Sequence, residues 1–327
     1  ALLAFAAWGG VALAWIAAGT GAAIRPRGEW PRRLCLAGAA GLAALVWRAA
    51  LAPPPGDLAV TFLDVGQGLA VVIRLPSGRA VLWDAGPPFA GGSMVAPALK
   101  AAGIGRLAAV VVTHAHADHA GGLLPVLRLL PADLVCVTGR GFRRLPDATA
   151  LRALWRERGT RLRLVQDGAA LADEPGVALR FLHPPPGGMR GVPAAQALDE
   201  SSAVLALTFG RATALLTADV KERGERRIMD RAAGLAPVGL LQVPHHGSRH
   251  ASSPAFLAAM RPREVVASVG TRNPFGYPHP AVVIRYRDVN ARFWLTARDG
   301  AVVARCDGRG WRVTPFRPGI IELERSE

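Results

Sequence analysis

Three imidazoles and one carboxylate fall within six residues of the stretch Thr113-His114-Ala115-His116-Ala117-Asp118-His119-Ala120-Gly121-Gly122. Imidazole nitrogen and carboxylate oxygen together make a donor set for Zn²⁺, Mn²⁺ or Fe²⁺. The apolar, β-branched run Ala108–Val112 leads into the cluster and predicts a buried strand. Side chains two apart on an extended chain point the same way, so His114 and His116 can share one cation. Asp118 and His119 follow where the chain turns into a helix expected over Gly122–Leu130, and can face the site from another side.

Other residues can complete a pair of cations. Asp219 follows the apolar strand Ala212–Thr217 and precedes a charged helix expected over Val220–Arg231. It reads either as a carboxylate shared by two metals or as that helix's N-cap. His245-His246-Gly247-Ser248 follows the strand Val238–Val243. Neighbours on an extended chain face opposite ways, so His246 is expected as the ligand and His245 at a substrate oxygen, with Ser248 in an anion-contacting turn. The alternative is a pair of surface histidines. Asp84, in Trp83-Asp84-Ala85-Gly86, is expected to orient a ligand histidine, or else to form a turn before glycine. Asn273 and His279, in the loop Gly270–Pro280, are candidates for phosphate contact, His279 also as a general acid; a purely structural Gly/Pro loop is the other reading. No serine or cysteine with an acid–base partner stands out, so water activated by a metal pair is the expected nucleophile. His114 and His116 would hold one cation, Asp118 and His119 the second, and Asp219 would be shared. Asp118, His245 and His279 are the candidate catalytic groups.

The chain of 327 residues exceeds usual single-domain size. Ala1–Ile24 carries no charge and is long enough to cross a bilayer; Leu34–Leu51 is a second apolar run, interrupted only by Arg48. Four arginines and Trp30 between them fit a cytoplasmic turn, which would put everything beyond Pro53 outside the cytoplasm. A soluble helical hairpin is the alternative. Pro53-Pro54-Pro55-Gly56 is a stiff linker, dividing two membrane helices (1–53) from a second domain (57–327). In that domain β-type runs alternate with helices, and the polar motifs keep falling at strand C-termini, where an α/β scaffold builds sites. The opening on apolar residues without methionine or basic flank suggests a piece of a longer protein.

The net charge is +15, almost entirely arginine, and +12 of it lies beyond residue 57. That excess favours a polyanionic partner, nucleic acid or anionic membrane, unless it reflects an arginine-rich genome. Cys35, Cys136 and Cys306 form no CxxC pair, which excludes a cysteine zinc site.

His114-x-His116-x-Asp118-His119 resembles the signature of the metallo-β-lactamase superfamily. Asp64-Val65-Gly66-Gln67-Gly68, Trp83-Asp84-Ala85-Gly86, Leu216-Thr217-Ala218-Asp219, His245-His246-Gly247-Ser248 and Asn273–Pro280 narrow the resemblance to the ComEC family of DNA-internalisation proteins of natural competence. The resemblance covers about residues 58–317, with 1–53 similar to the last two helices of the channel domain. It implies an α/β, four-layered αβ/βα sandwich preceded by two transmembrane helices. It also implies two divalent cations, zinc or manganese, and a domain on the periplasmic side of the bacterial inner membrane. The implied activity is a nuclease that degrades the non-transported strand during transformation, with DNA (single- and double-stranded), the rest of the channel and other competence proteins as partners. Alternatives are a non-catalytic DNA-guiding domain, or a metallo-hydrolase of a small ester or phosphodiester.

Two departures stand out: Asp199-Glu200-Ser201-Ser202 replaces the usual Asn-Asn-x-Ser, and Ala218-Asp219 replaces Gly-Asp. For the superfamily's separate ligand histidine only His183 is available. Without it the set holds six ligands instead of seven, and one metal would be weakly held.

Overall fold

The structure is a computed structural model that describes residues 56–189, 191–192 and 196–316. The two apolar runs expected in the membrane lie outside these residues. Among those described, no helix is long and apolar enough to cross a membrane.

Two sheets form the centre. The first holds β1 (Leu58–Phe62), β2 (Val71–Arg74), β3 (Ala80–Trp83), β4 (Ala109–Val112), β5 (Leu134–Val137) and β6 (Arg161–Leu164), with β13 (Val302–Cys306) and β14 (Trp311–Pro315). Its strand order is β14-β13-β1-β2-β3-β4-β5-β6. The second holds β7 (Val177–His183), β8 (Val204–Phe209), β9 (Ala212–Leu216), β10 (Leu240–Gln242), β11 (Glu264–Ala267) and β12 (Arg292–Leu295), in the order β12-β11-β10-β9-β8-β7.

Strand alternation builds the layers. Along β4, Val110 and Val112 face helices α1 (Ala96–Ala101), α3 (Leu123–Leu129) and α4 (Ala148–Arg158), whereas Ala109 and Val111 face the second sheet. Along β5, Val135 and Val137 turn to the helices, Leu134 and Cys136 to the sheet interface. Trp83 and Phe181 stack between the sheets at 6.4 Å. On the outer face of the second sheet, α5 (Glu222–Ala232), α6 (Pro254–Met260) and α7 (Pro280–Asp288) bury Ile228, Phe256, Met260 and Tyr286 against Leu215, Leu241 and Val265. The order is helix, sheet, sheet, helix, as the resemblance implied. Both faces of the central strands are covered, which is why AVVV and LVCV read as continuous apolar runs.

Strands β3, β4 and β5 are parallel, and so are β9, β10, β11 and β12. Their C-terminal ends carry Asp84, Thr113–His119, Asp219, His245-His246 and Ser268. The helix expected over Gly122–Leu130 is α3, and a separate turn α2 (Ala117–Ala120) precedes it, so Asp118 and His119 are themselves helical. Helix α1 is preceded by helical residues from Pro88 onward, through a π-helical turn at Gly91–Val95. The sequence hid this because Pro and Gly are loop formers; here a Cβ on Gly122 would collide with Ala85 O, and Gly91 packs on Gly122. Cys136 and Cys306 are buried free thiols on β5 and β13. Four strands lie between them, so they sit about 24 Å apart at normal strand spacing.

Candidate metal centre

Thr113 ends β4 and anchors the first-sheet half. Its N–H and its hydroxyl donate to the two oxygens of Asp84, at 2.8 and 2.7 Å. Asp84 is fully buried, has φ +56°, and accepts from His119 Nδ1 at 2.7 Å. That bond fixes the tautomer of His119 and turns its Nε2 inward. Because Thr113 gives its one hydroxyl proton to Asp84, it accepts from His114 Nδ1 (3.1 Å), and His114 also presents Nε2. His116 offers Nδ1 instead, 3.0 Å from His114 Nε2. Gly68 of the Asp64–Gly68 motif lies so close that a Cβ there would strike Asp118 O, and Leu69 N–H donates to that oxygen at 3.1 Å.

The second-sheet half is held from β10. Gln242 Oε1 accepts from Thr217 N–H (3.1 Å) and Ala218 N–H (2.8 Å), and Ala218 adopts φ +48°. Left-handed backbone favours glycine, which explains the family's Gly-Asp and gives alanine here a cost of about 1 kcal/mol. Asp219 Oδ1 then lies 3.2 Å from His119 Nε2 and 3.6 Å from His246 Nε2; its Oδ2 lies 3.9 Å from His114 Nε2 and 3.6 Å from His245 Nε2. The carboxylate therefore stands between both histidine groups and does not cap α5; Glu200 Oε2 accepts from Gly224 N–H of that helix at 2.8 Å. His245 and His246 are not extended neighbours facing apart. Both lie in left-handed backbone (φ +48° and +55°) within the turn Pro244–Gly247, which brings both rings to Asp219. His246 Nδ1 donates to Ser268 O (2.7 Å), so its Nε2 faces inward, 3.5 Å from Asp118 Oδ2.

One residue absent from the sequence-derived ligand set enters the centre. Asp199 Oδ1 is 3.0 Å from His116 Nδ1 and 3.9 Å from His114 Nε2, while its Oδ2 pairs with Lys221 Nζ at 2.7 Å. The departure Asp-Glu for Asn-Asn was the only sequence signal of it. Three groups result, each with donor atoms within 4.8 Å: His114, His116, Asp199; His114, His119, Asp219; and Asp118, His119, His246.

These residues fit cations. Asp199 Oδ1 and Asp219 Oδ1 are buried without a well-formed hydrogen bond, among imidazole nitrogens. Burial disfavours charge on both carboxylates. The histidine charges still hold Asp219 well below the usual range, and the nearby His116 ring and the Lys221 ammonium lower Asp199. Burial likewise disfavours a proton on His119, yet Asp219, Asp118 and Asp84 raise its pKa well above normal. A cation among the same carboxylates would take that proton's place. Burial, followed by the charge of His119, drives His114 down to about 3, leaving it a neutral donor.

The remaining candidates lie around this set. Ser248 is buried in the histidine turn, its N–H donating to His245 O at 2.8 Å. His279 donates its N–H to Gly247 O (2.9 Å) and caps α7, Nδ1 accepting from Ala281 N–H at 3.2 Å. Asn273 spends its amide on its own loop, at Gly270 O, Tyr277 O and Tyr277 N–H. His183 is fully buried with Nδ1 donating to Ser202 O at 2.8 Å, and it belongs to none of the three groups.

The sequence profile described as "Metallo-beta-lactamase superfamily" matches residues 63–270. The chain belongs to the metallo-beta-lactamase superfamily. Within it, the chain is 29% identical over 253 residues to Competence protein ComA of Neisseria gonorrhoeae, covering 77% of this chain and 33% of that protein. It is 26% identical over 275 residues to ComE operon protein 3 of Bacillus subtilis (strain 168), covering 79% and 34%. These relatives bear out the ComEC resemblance carried by the motifs, and the chain spans about a third of their length. Among solved structures, CmlA, a diiron β-hydroxylase from Streptomyces venezuelae, is 18% identical at a TM-score of 0.51, over 78% of this chain and 55% of that one; the likeness is one of fold.

Proposed function

We propose that this chain is the metal-dependent phosphodiesterase part of a DNA-uptake protein, acting on DNA and degrading the strand that is not taken up. The observation that carries the reading is Asp219, a buried carboxylate with one oxygen toward His119 and His246 and the other toward His114 and His245. His114, His116 and Asp199 would hold one divalent cation, and Asp118, His119 and His246 a second, with Asp219 shared. Two such ions, zinc or manganese, supply an activated water and charge stabilisation for the phosphoryl oxygens. Asp84 and Ser268 O keep the Nε2 atoms of His119 and His246 fixed without rearrangement. His245, with Nδ1 buried and unpartnered, stands beside Asp219 to contact a substrate oxygen; burial keeps its pKa below normal, so it meets that oxygen as a neutral donor. His279 and Ser248 flank the same turn as phosphate contacts. On this reading residues 1–53, which lie outside the described residues, correspond to the last two helices of the channel, residues 57–327 work on the periplasmic side of the inner membrane, and the other competence proteins are partners.

The test is degradation of linear single- and double-stranded DNA by the 327-residue chain loaded with Mn²⁺ or Zn²⁺. Wild type should degrade DNA, and His116→Ala should abolish the activity while the chain stays folded. A metal-loaded wild type that leaves both substrates intact overturns the reading.

A further inference from the structure

A cleft of about 760 Å³ opens beside the metal centre, and its lining contains no carboxylate. Arg140, Phe142, Arg143 and Arg144, from the segment after β5, form one wall; Leu198 and Ser201 stand in another. Its inner end abuts the site: Ser201 is two residues past Asp199, and a side chain on Gly141 would lie 3.7 Å from His114 Cα.

Two of the three arginines here are uncommitted. Arg143 and Arg144 are exposed, with no side-chain hydrogen bond or ion pair among the described residues, and Arg140 makes only a 3.3 Å bond to Met189 O. A second basic cleft, of about 400 Å³, makes the contrast. Its lining includes Glu200 and Glu222, and four of its cations are held by carboxylates or carbonyls. Lys221 holds Asp199, Arg226 pairs with Glu222 at 2.7 Å, Arg223 donates to Gly191 O at 2.9 Å, and Arg285 donates to Ala251 O and Ser252 O. Cations spent on the protein brace it; in the first cleft Arg143 and Arg144 are left free among the described residues and Arg140 is held at a single carbonyl, so all three can take an anion.

We infer that the Arg140–Arg143–Arg144 cleft binds the sugar-phosphate backbone of a single nucleic acid strand and leads it to the edge of the metal centre at Asp199. The guanidiniums can each take a phosphate, and Phe142, with Arg152 over its ring at 5.0 Å, offers an aromatic surface for a base. A base can reach that ring only from an unpaired strand, because duplex bases present their faces to one another. The inference rests on the phosphodiesterase reading for the identity of the ligand, but its test does not need catalysis.

The experiment is fluorescence anisotropy of a labelled single-stranded 12-mer with the 327-residue chain in EDTA, from 50 to 200 mM KCl. Arg143→Ala/Arg144→Ala should bind about 10-fold more weakly at the lowest salt, and the log–log salt slope should shrink by about 1.4, the value for two lost phosphate contacts on a single strand. Arg226→Ala, in the other cleft, should bind like wild type, and equal melting temperatures show that each variant is folded. Unchanged affinity and slope in the double variant overturn the inference. So does a duplex bound as tightly as the single strand with the same mutational loss, or displacement of the 12-mer by inorganic phosphate at matched charge. If DNA is never cleaved yet the double variant loses binding, the cleft stands and the phosphodiesterase reading falls.

Discussion

The two sides of the metal centre are built to different stiffness. On the His119–His246 side both histidines are buried and braced from behind, His119 by Asp84, Asp84 by Thr113, and His246 by the carbonyl of Ser268; only Asp118, with its side chain 32% exposed, reaches toward solvent. On the other side the His116 side chain is 42% exposed and its neighbour Asp199 is positioned by the side chain of Lys221. Burial sets the two histidines of the first side before any ion arrives; the second side depends on a carboxylate held between His116 and the ammonium of Lys221. The difference teaches that one cation should be held tightly and the other exchange more readily, although the donor types are nearly the same.

Asp219→Ala should break both sides at once. Metal content should fall from two ions to fewer than one per chain by native mass spectrometry, and DNA hydrolysis should fall by at least about 10³-fold. Two ions retained would mean the carboxylate is not shared. Asp84→Asn strikes only the braced side: affinity there should drop about 10–100-fold while the other step of a calorimetric metal titration is unmoved. Loss of both steps together would show that the sides are not separable. Asp199→Asn should do the reverse and more mildly, weakening the His114–His116 step by about 10-fold. Lys221→Met should weaken it less still, because it removes only the group that positions Asp199.

A second division, between the two sheets, explains what the sequence made legible. The His114–His119 half lies in one contiguous stretch at the end of one strand, so residue types and spacing sufficed. Asp84 could be marked because a buried strand ends on it, and the layers because each strand's apolar run is covered on both faces. The other half comes from single residues more than twenty positions apart, brought together only because β9, β10 and β11 are parallel. The reasoning about His245 and His246 assumed extended backbone, and a left-handed pair cannot be read from residue type when neither residue is glycine. Asp199 was missed as a ligand because nothing local points a carboxylate in a 3-10 turn toward a histidine 83 positions away.

His183 is where the comparison predicts no effect on metal at all. The sequence offered it as the missing seventh ligand, but Asp199 stands beside His116, and His183 ends β7 with its ring on the carbonyl of Ser202. His183→Asn keeps a donor for that carbonyl and should leave metal stoichiometry at the wild-type value. Its signature is in stability instead. Burial pushes the His183 pKa down to about 4, against the usual 6.5, so the folded chain holds it neutral while the unfolded chain takes up a proton near pH 6.5. Acid therefore favours unfolding: the contribution is complete above about pH 6.5 and is lost as pH falls toward 4, by up to about 3 kcal/mol. Urea midpoints in EDTA between pH 8 and 4.5 should fall more steeply for wild type than for His183→Asn. Parallel curves, or a variant that loses a metal ion, would return His183 to the centre.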